Sequence, residues 1–241
     1  MSKELKSLED NHTWEIVRRP QHKNVIPGRW VYKIKCNQDG EITRFKARWV
    51  IKGYEQREGI DYDQTFAGVA KGITIKALFA LAAQYDLEIE QMDVITAFLN
   101  GDIDVELYTE YPEGFEDRIP HDVVCKLRKS IYGLKQSPRL WQDKLRAALF
   151  KFGYLPLLAD HCLYRNPQNG VIVCTYVDDF LIISPNIADI DALKVYLNDI
   201  FKIENLEACN YFLSIRVTRD RKNERLNLCQ DTYVDKVIKT F

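Results

Sequence analysis

No apolar run in this 241-residue chain approaches the roughly 18 to 20 residues that a membrane-spanning helix needs, so no helical span and no membrane partner is expected. The opening residues, MSKELKSLEDNHTW, are charged where a secretion signal is apolar, and no export leader is expected. Paired cysteines are also missing. Cys36, Cys125, Cys162, Cys174, Cys209 and Cys229 are scattered without a Cys-x-x-Cys spacing, which leaves no zinc motif. Cys174 sits inside an apolar run, as a buried free thiol of a reducing compartment does. The four histidines (His12, His22, His121, His161) fall outside every motif described below, which argues against a nuclease that activates water through histidine. Internal repeats, low-complexity tracts and interdomain linkers are absent too.

Net charge is nearly absent, at −1, and on average this disfavours a nucleic-acid binder. The average conceals blocks. Arg18 to Arg57 carries a balance of +8, Gln84 to Asp122 of −11, and Lys126 to Lys151 of +7. Separate basic surfaces on one fold either line a channel for phosphates or are solvated faces, and charge alone does not decide between them.

What is present is ordinary for a globular protein with a sizeable core: 46% hydrophobic and 29% charged residues. Between Trp14 and Gln56, Asp39-Gly40 marks a hairpin turn between two alternating arms. On the second arm Arg44, Lys46, Arg48 and Lys52 share one strand face, opposite Phe45, Ala47 and Trp49, which are expected to pack. Thr74 to Tyr85 reads as a helix with Ile75, Leu78, Phe79 and Ala82 on one side. The pattern turns strand-like around Met92-Asp93-Val94 and closes at Asn100-Gly101, and Glu110 to Asp122 reads as a loop. Ser137 is placed as an N-cap with Pro138 at the first helical position and Gly153 as the stop, over a seam of Leu145, Leu149 and Phe152. A second amphipathic helix runs from Ile187 to Phe201 through Ile190, Leu193 and Leu197. NYFLSIRV and RLNLCQ form a hairpin through Asp220 to Asn223, and DTYVDKVIKTF is a helical tail. Helices interspersed with hairpins indicate an α+β fold.

The stretch Val171 to Ser184, VIVCTYVDDFLIIS, sets Asp178 and Asp179 between two β-branched runs. Adjacent carboxylates repel, so the pair is comfortable only when solvated or facing a cation. If Asp93 meets Asp178 at the ends of neighbouring strands, the acids form a site for hard divalent cations. Two such ions, roughly 4 Å apart, activate a 3′-hydroxyl and stabilise a leaving pyrophosphate.

Five segments carry a family resemblance: TWEIVRRP, RWVYKIKCNQDGEITRFKARWVIKGYEQREGIDYDQTF, QMDVITAFLNG, KSIYGLKQSPRLW and CTYVDDFLIIS. In family order from about Trp14 to Gln230, they resemble the reverse transcriptase domain of copia-type long-terminal-repeat retrotransposon polyproteins. The resemblance implies a right-hand polymerase fold whose antiparallel palm sheet is backed by helices, with the thumb largely absent. It puts the fingers at about 1–86 and 105–136, the palm at about 87–104 and 137–229, and the start of a thumb or connection at about 230–241.

The implied activity is RNA-directed DNA synthesis with two Mg²⁺ ions, for which Mn²⁺ substitutes. Asp93, Asp178 and Asp179 are the catalytic acids, and the Val94 carbonyl is a further metal ligand. Phe98, five residues after Asp93, matches a ring that lies under the sugar and excludes a 2′-hydroxyl. Gln136 contacts the incoming nucleotide, and Arg48 and Lys46 face its triphosphate. Tyr176, Lys135, Arg139 and the Phe212-Leu213 hairpin bear on primer and template. The implied partners are an RNA template, a DNA primer, dNTPs, and the integrase and ribonuclease H parts of the same polyprotein. The implied address is cytoplasmic, in a virus-like particle, and later nuclear.

Departures from the family pattern exist. Gly68 replaces the proline of the F-x-P-V block, Thr109 and Tyr111 replace methionine and glutamine, Glu207-Ala208 replaces Leu-Gly, and Ser214 replaces the glycine of YFLGI. They keep a second reading open, a catalytically silent remnant that folds and binds nucleic acid.

Overall fold

The computed structural model describes residues 1–36 and 41–240, so the Asp39-Gly40 turn lies outside the described residues. The elements are α1 (Ser2–Asp10), β1 (Trp14–Arg18), β2 (Val25–Ile26), β3 (Gly28–Cys36), β4 (Ile42–Ile51), α2 (Gly72–Gln84), β5 (Glu88–Val94), β6 (Tyr108–Thr109), β7 (Val123–Leu127) and α3 (Ser137–Lys151). Then come β8 (Leu155–Leu157), β9 (Asp160–Arg165), β10 (Ile172–Tyr176), β11 (Asp179–Ser184), α4 (Ile187–Ile200), β12 (Ile203–Ala208), β13 (Tyr211–Phe212), β14 (Ile215–Asp220), β15 (Arg225–Cys229) and α5 (Asp231–Thr240). The expected α+β class is what forms. No helix among the described residues is long and apolar enough to cross a membrane.

The chain divides into two compact units, Met1–Ala67 with Ala97–Leu145 and Gly68–Thr96 with Arg146–Phe241. The divisions between these compact units fall at residues 67, 96 and 145. Helix α2 therefore belongs with the second unit.

The first unit holds a four-stranded sheet of order β1-β7-β6-β2 and a separate two-stranded ribbon, β3-β4. The ribbon pairs Lys33 with Lys46 and Lys35 with Arg44, so the cationic stripe of β4 meets more cations on β3. Its opposite face does not pack throughout as expected. Trp49 is 2% exposed but Phe45 is 75% exposed, because only the base of the ribbon reaches the cluster of Leu8, Ile26, Ile51, Leu127 and Ile131. Lys52 lies one residue past β4.

Expected charge blocks meet within this unit. Asp102 binds Lys129 and Lys144, Glu106 binds Lys23 and Lys126, Glu110 binds Arg19, and Asp104 binds Arg139. The acidic stretch thus neutralises part of both basic blocks. Glu106 is held down at about 2 by bonds from Lys23, Tyr108 and Lys126.

The second unit is built on a six-stranded sheet of order β12-β5-β11-β10-β9-β8. One face carries Ile89, Leu181, Ile183 and Cys174 against Ile75, Leu78, Phe79 and Ala82 of α2, the four residues that helical spacing selects. The other face carries Phe180 and Met92, both fully buried, and Glu90, which Lys194 of α4 reaches. Helix α4 buries Ile190, Leu193 and Leu197 as its spacing requires, and Asn186 caps it by accepting the Ala188 N–H.

Of the two signals at the ends of α3, one holds and one does not. Gly153 adopts φ +88° two residues past α3, and the Tyr154 N–H closes back on the Leu149 carbonyl at 2.9 Å, as a glycine-terminated helix does. Ser137 is not an N-cap: its hydroxyl donates to the Ile131 carbonyl at 2.7 Å, tying the helix start to the preceding turn. Cys125, Cys162, Cys174 and Cys209 are buried free thiols, and Cys229 is exposed.

Candidate active site

Strand β11 pairs antiparallel with β5 so that Asp179 stands directly opposite Asp93. Directly opposed residues project to the same face with Cβ atoms about 5 Å apart. On the other side of β11, Tyr176 of β10 stands opposite Asp179, leaving a two-residue loop of Val177 and Asp178. The Val94 N–H donates to the Asp178 carbonyl at 2.9 Å, which closes the hairpin end onto β5. An extended residue presents its N–H and C=O to the same side, so the Val94 carbonyl also faces the hairpin. The strands therefore bring together four of the residues that the resemblance implies: Asp93, Val94, Asp178 and Asp179.

Val177 has φ +58°, the left-handed region that β-branched residues avoid. A positive φ at the first loop residue alone is the sign pattern of a type II′ hairpin turn. Ladder bonds on both flanks hold this strained residue in place, and backbone strain of this kind clusters at functional sites.

Asp93, Asp178 and Asp179 are all half-buried. Burial first, and then the negative charge of Asp178, hold the Asp179 carboxyl above its ordinary range. A hard divalent cation held by these carboxylates would relieve both effects, replacing lost solvation and neutralising the neighbouring charge. Among the described residues no three acidic, histidine or cysteine side chains stand close enough together to hold a metal ion. The oxygen-only donor set at the ends of these two interior strands nevertheless has the chemistry that Mg²⁺ and Mn²⁺ select.

In the first unit, Arg48 lies with its guanidinium carbon 4.5 Å from the centre of the Tyr132 ring. Lys46 is half-buried, and its ammonium is pushed below its ordinary value by burial and then by Arg48, Arg44 and Lys35. Glu4 of α1 faces these cations. Its carboxyl is nonetheless raised, since burial outweighs the opposing pull of Arg48 and of the Trp49 backbone. Phe98 is half-buried and lies edge-on to Tyr132.

Residues 11–241 match the family profile described as reverse transcriptase (RNA-dependent DNA polymerase). The chain belongs to the reverse transcriptase family. It is 40% identical over its whole length to the retrovirus-related Pol polyprotein from transposon TNT 1-94 of Nicotiana tabacum. Over 91% of its length it is 38% identical to the Pol polyprotein from transposon RE2 of Arabidopsis thaliana. A Gag-Pol polyprotein of the Saccharomyces cerevisiae transposon Ty1-BL is 29% identical over 85% of the chain. These matches cover 18%, 15% and 12% of the three relatives, so the chain spans less than a fifth of their length. The family match and the plant relatives identify a reverse transcriptase domain of the copia-like retrotransposon type.

Several residues implied for ligand contact are otherwise engaged in this reverse transcriptase chain. Gln136 is fully buried. Its Nε2 donates to the Asp61 carbonyl at 3.0 Å and its Oε1 accepts from Gln56 Nε2 at 2.9 Å. Lys135 donates its backbone N–H to Gln56 and its ammonium to the Tyr62 hydroxyl at 2.9 Å. Arg139 binds the Gln64 carbonyl, Asp143 and Asp104. Phe212 is fully buried in the core, so its side chain is not a surface for primer. Leu213 and Ser214 form the adjoining turn, with φ +45° and +68°. Tyr176 is half-buried beside Asp179.

Sequence reasoning missed Tyr132, Gln56 and the buried Lys194 that binds Glu90 and Asn205. Lys194 was discoverable: it lies four residues after Ile190 and three before Leu197, inside the apolar seam, where an unpaired cation is not tolerated.

Proposed function

We propose that the chain is the RNA-directed DNA polymerase domain of a retrotransposon polyprotein, adding deoxynucleotides to a primer 3′-hydroxyl. The observation that carries this reading is the register that sets Asp179 opposite Asp93, beside the strained Val177-Asp178 turn. Asp93 and Asp178 would hold two Mg²⁺ ions, for which Mn²⁺ substitutes, with the Val94 carbonyl as a further ligand and Asp179 supporting their geometry. When bound, the ions make the primer hydroxyl more acidic and offset charge on the departing pyrophosphate. The six-stranded sheet is the palm in this reading, and the first unit supplies the fingers.

The chain's own residues orient the substrates. Arg48 and Lys46 offer cationic groups to the triphosphate, and the partly neutralised basic blocks offer phosphate contacts to an RNA template and DNA primer. Phe98 places an aromatic edge where a 2′-hydroxyl would collide, which selects deoxynucleotides. We assign Gln136 to shaping the turn before α3, since its amide is spent on Gln56 and Asp61. Ribonuclease H and integrase segments of the same polyprotein are the expected neighbours, in cytoplasmic virus-like particles and later in the nucleus.

One observation favours a silent remnant that still binds nucleic acid: Ser214 occupies a left-handed position, φ +68°, where the family pattern has glycine. Extension of a DNA primer on an RNA template by the purified chain, with Mg²⁺ or Mn²⁺, separates the two. Extension that disappears in Asp178→Asn supports the polymerase. Salt-sensitive template binding without extension supports the remnant.

A further inference from the structure

Arg48, Tyr132 and Phe98 stack within the first unit. The Arg48 guanidinium lies over the Tyr132 ring, and the Phe98 ring meets the same ring edge-on, with centroids 5.3 Å apart at 71°. Tyr132 is itself pinned. Its carbonyl accepts the Ile51 N–H at 2.8 Å at the end of β4, the strand that carries Arg48. Gly133 follows at φ +98°, and any Cβ there would strike the Ile51 carbonyl. Two residues before Tyr132, the Ser130 hydroxyl donates to the Phe98 carbonyl. One short turn thus grips both the strand of Arg48 and the segment of Phe98.

We infer that Tyr132 is a positioning residue for nucleotide selection, its ring fixing the Phe98 ring at the sugar and the Arg48 guanidinium at the triphosphate of the incoming deoxynucleotide. The inference rests on the polymerase reading above. A phenylalanine ring turns about two side-chain torsions, so it discriminates against a 2′-hydroxyl only if a neighbour holds it in one rotamer. The edge-to-face contact supplies that restraint. A guanidinium held by its face keeps its in-plane N–H fork for a phosphate. Neither contact uses the Tyr132 hydroxyl.

The test measures capture of dNTP against the matching rNTP by the chain on a primer–template, in wild type, Tyr132→Leu, Tyr132→Met, Tyr132→Phe and Phe98→Val, each checked for folding by thermal melting. Losing an edge-to-face pair should cut the dNTP preference about two- to tenfold in Tyr132→Leu. Tyr132→Met, which keeps bulk without a ring, should lose it likewise and stands in if the leucine variant misfolds. Tyr132→Phe should keep the wild-type preference. Loss of overall binding with an unchanged preference ratio would mark a merely structural residue and overturn the inference. A preference lost in Phe98→Val but kept in both Tyr132→Leu and Tyr132→Met overturns the inference alone. A preference kept in Phe98→Val, or no nucleotide capture by wild type, overturns the gate reading and the inference with it.

Discussion

Lys194 is a buried cation of the second unit. The side chain is buried on α4, and its ammonium binds Glu90 of β5 and the Asn205 side chain of β12, the latter at 2.6 Å. Side-chain exposure is 7% for Lys194 and 16% for Glu90, so both charges have given up most of their water. Removing one member of a buried pair leaves the other uncompensated, at a cost of about 3 to 5 kcal/mol. Because Glu90 keeps some solvent, Lys194→Met should lie at the lower end, about 3 kcal/mol. In a urea titration, with a slope of about 2 to 3 kcal/mol/M for a protein of this size, the midpoint should fall by about 1 M or more. Replacing both partners by apolar groups removes the stranded charge, so Lys194→Met with Glu90→Leu should return to within about 1 kcal/mol of wild type. A single variant that loses less than about 1 kcal/mol, or a double variant no more stable than the single, would refute this account of the cluster.

Two other outcomes follow from the hairpins. Because the folded Asp179 carboxyl titrates above its unfolded value, the folded state keeps a proton that the unfolded chain releases. Stability should then fall as pH rises from about 4 through the raised value, and Asp179→Asn should melt higher than wild type near neutral pH without divalent cations, a slope that melting curves against pH will read. Ser214→Gly should stabilise the chain by about 0.5 to 1 kcal/mol, since release of left-handed strain exceeds the added freedom of the unfolded chain. Chemical denaturation checks this, and an unchanged or lower midpoint would contradict the turn geometry.

Much of this structure is legible in the sequence, where local chemistry decides. Ile75, Leu78, Phe79 and Ala82 give α2 by spacing alone, and Gly153 gives the end of α3. The hairpin around Asp178 is legible because β-branched runs flank a short polar turn. What is not legible depends on long-range pairing. The partner of Asp179 is Asp93, 86 residues earlier, and only strand order sets them opposite. Phe45 alternates like a core residue yet is exposed, because nothing in the sequence says how far the ribbon extends past its cluster. Gln136 and Phe212 carry family motifs, but their burial follows from how Gln56 and α2 pack around them. Ser137 has the spelling of an N-cap, and a tertiary acceptor, the Ile131 carbonyl, takes its hydroxyl instead.

The central claim is that the C-terminal end of β5 and the β10–β11 hairpin build a divalent-cation site. Mn²⁺ titration followed by electron paramagnetic resonance, on the chain with primer–template and a dNTP, tests it most directly. Saturable Mn²⁺ binding in wild type that is lost in both Asp93→Asn and Asp178→Asn is the predicted result. Equal Mn²⁺ affinity in wild type and both variants would contradict it.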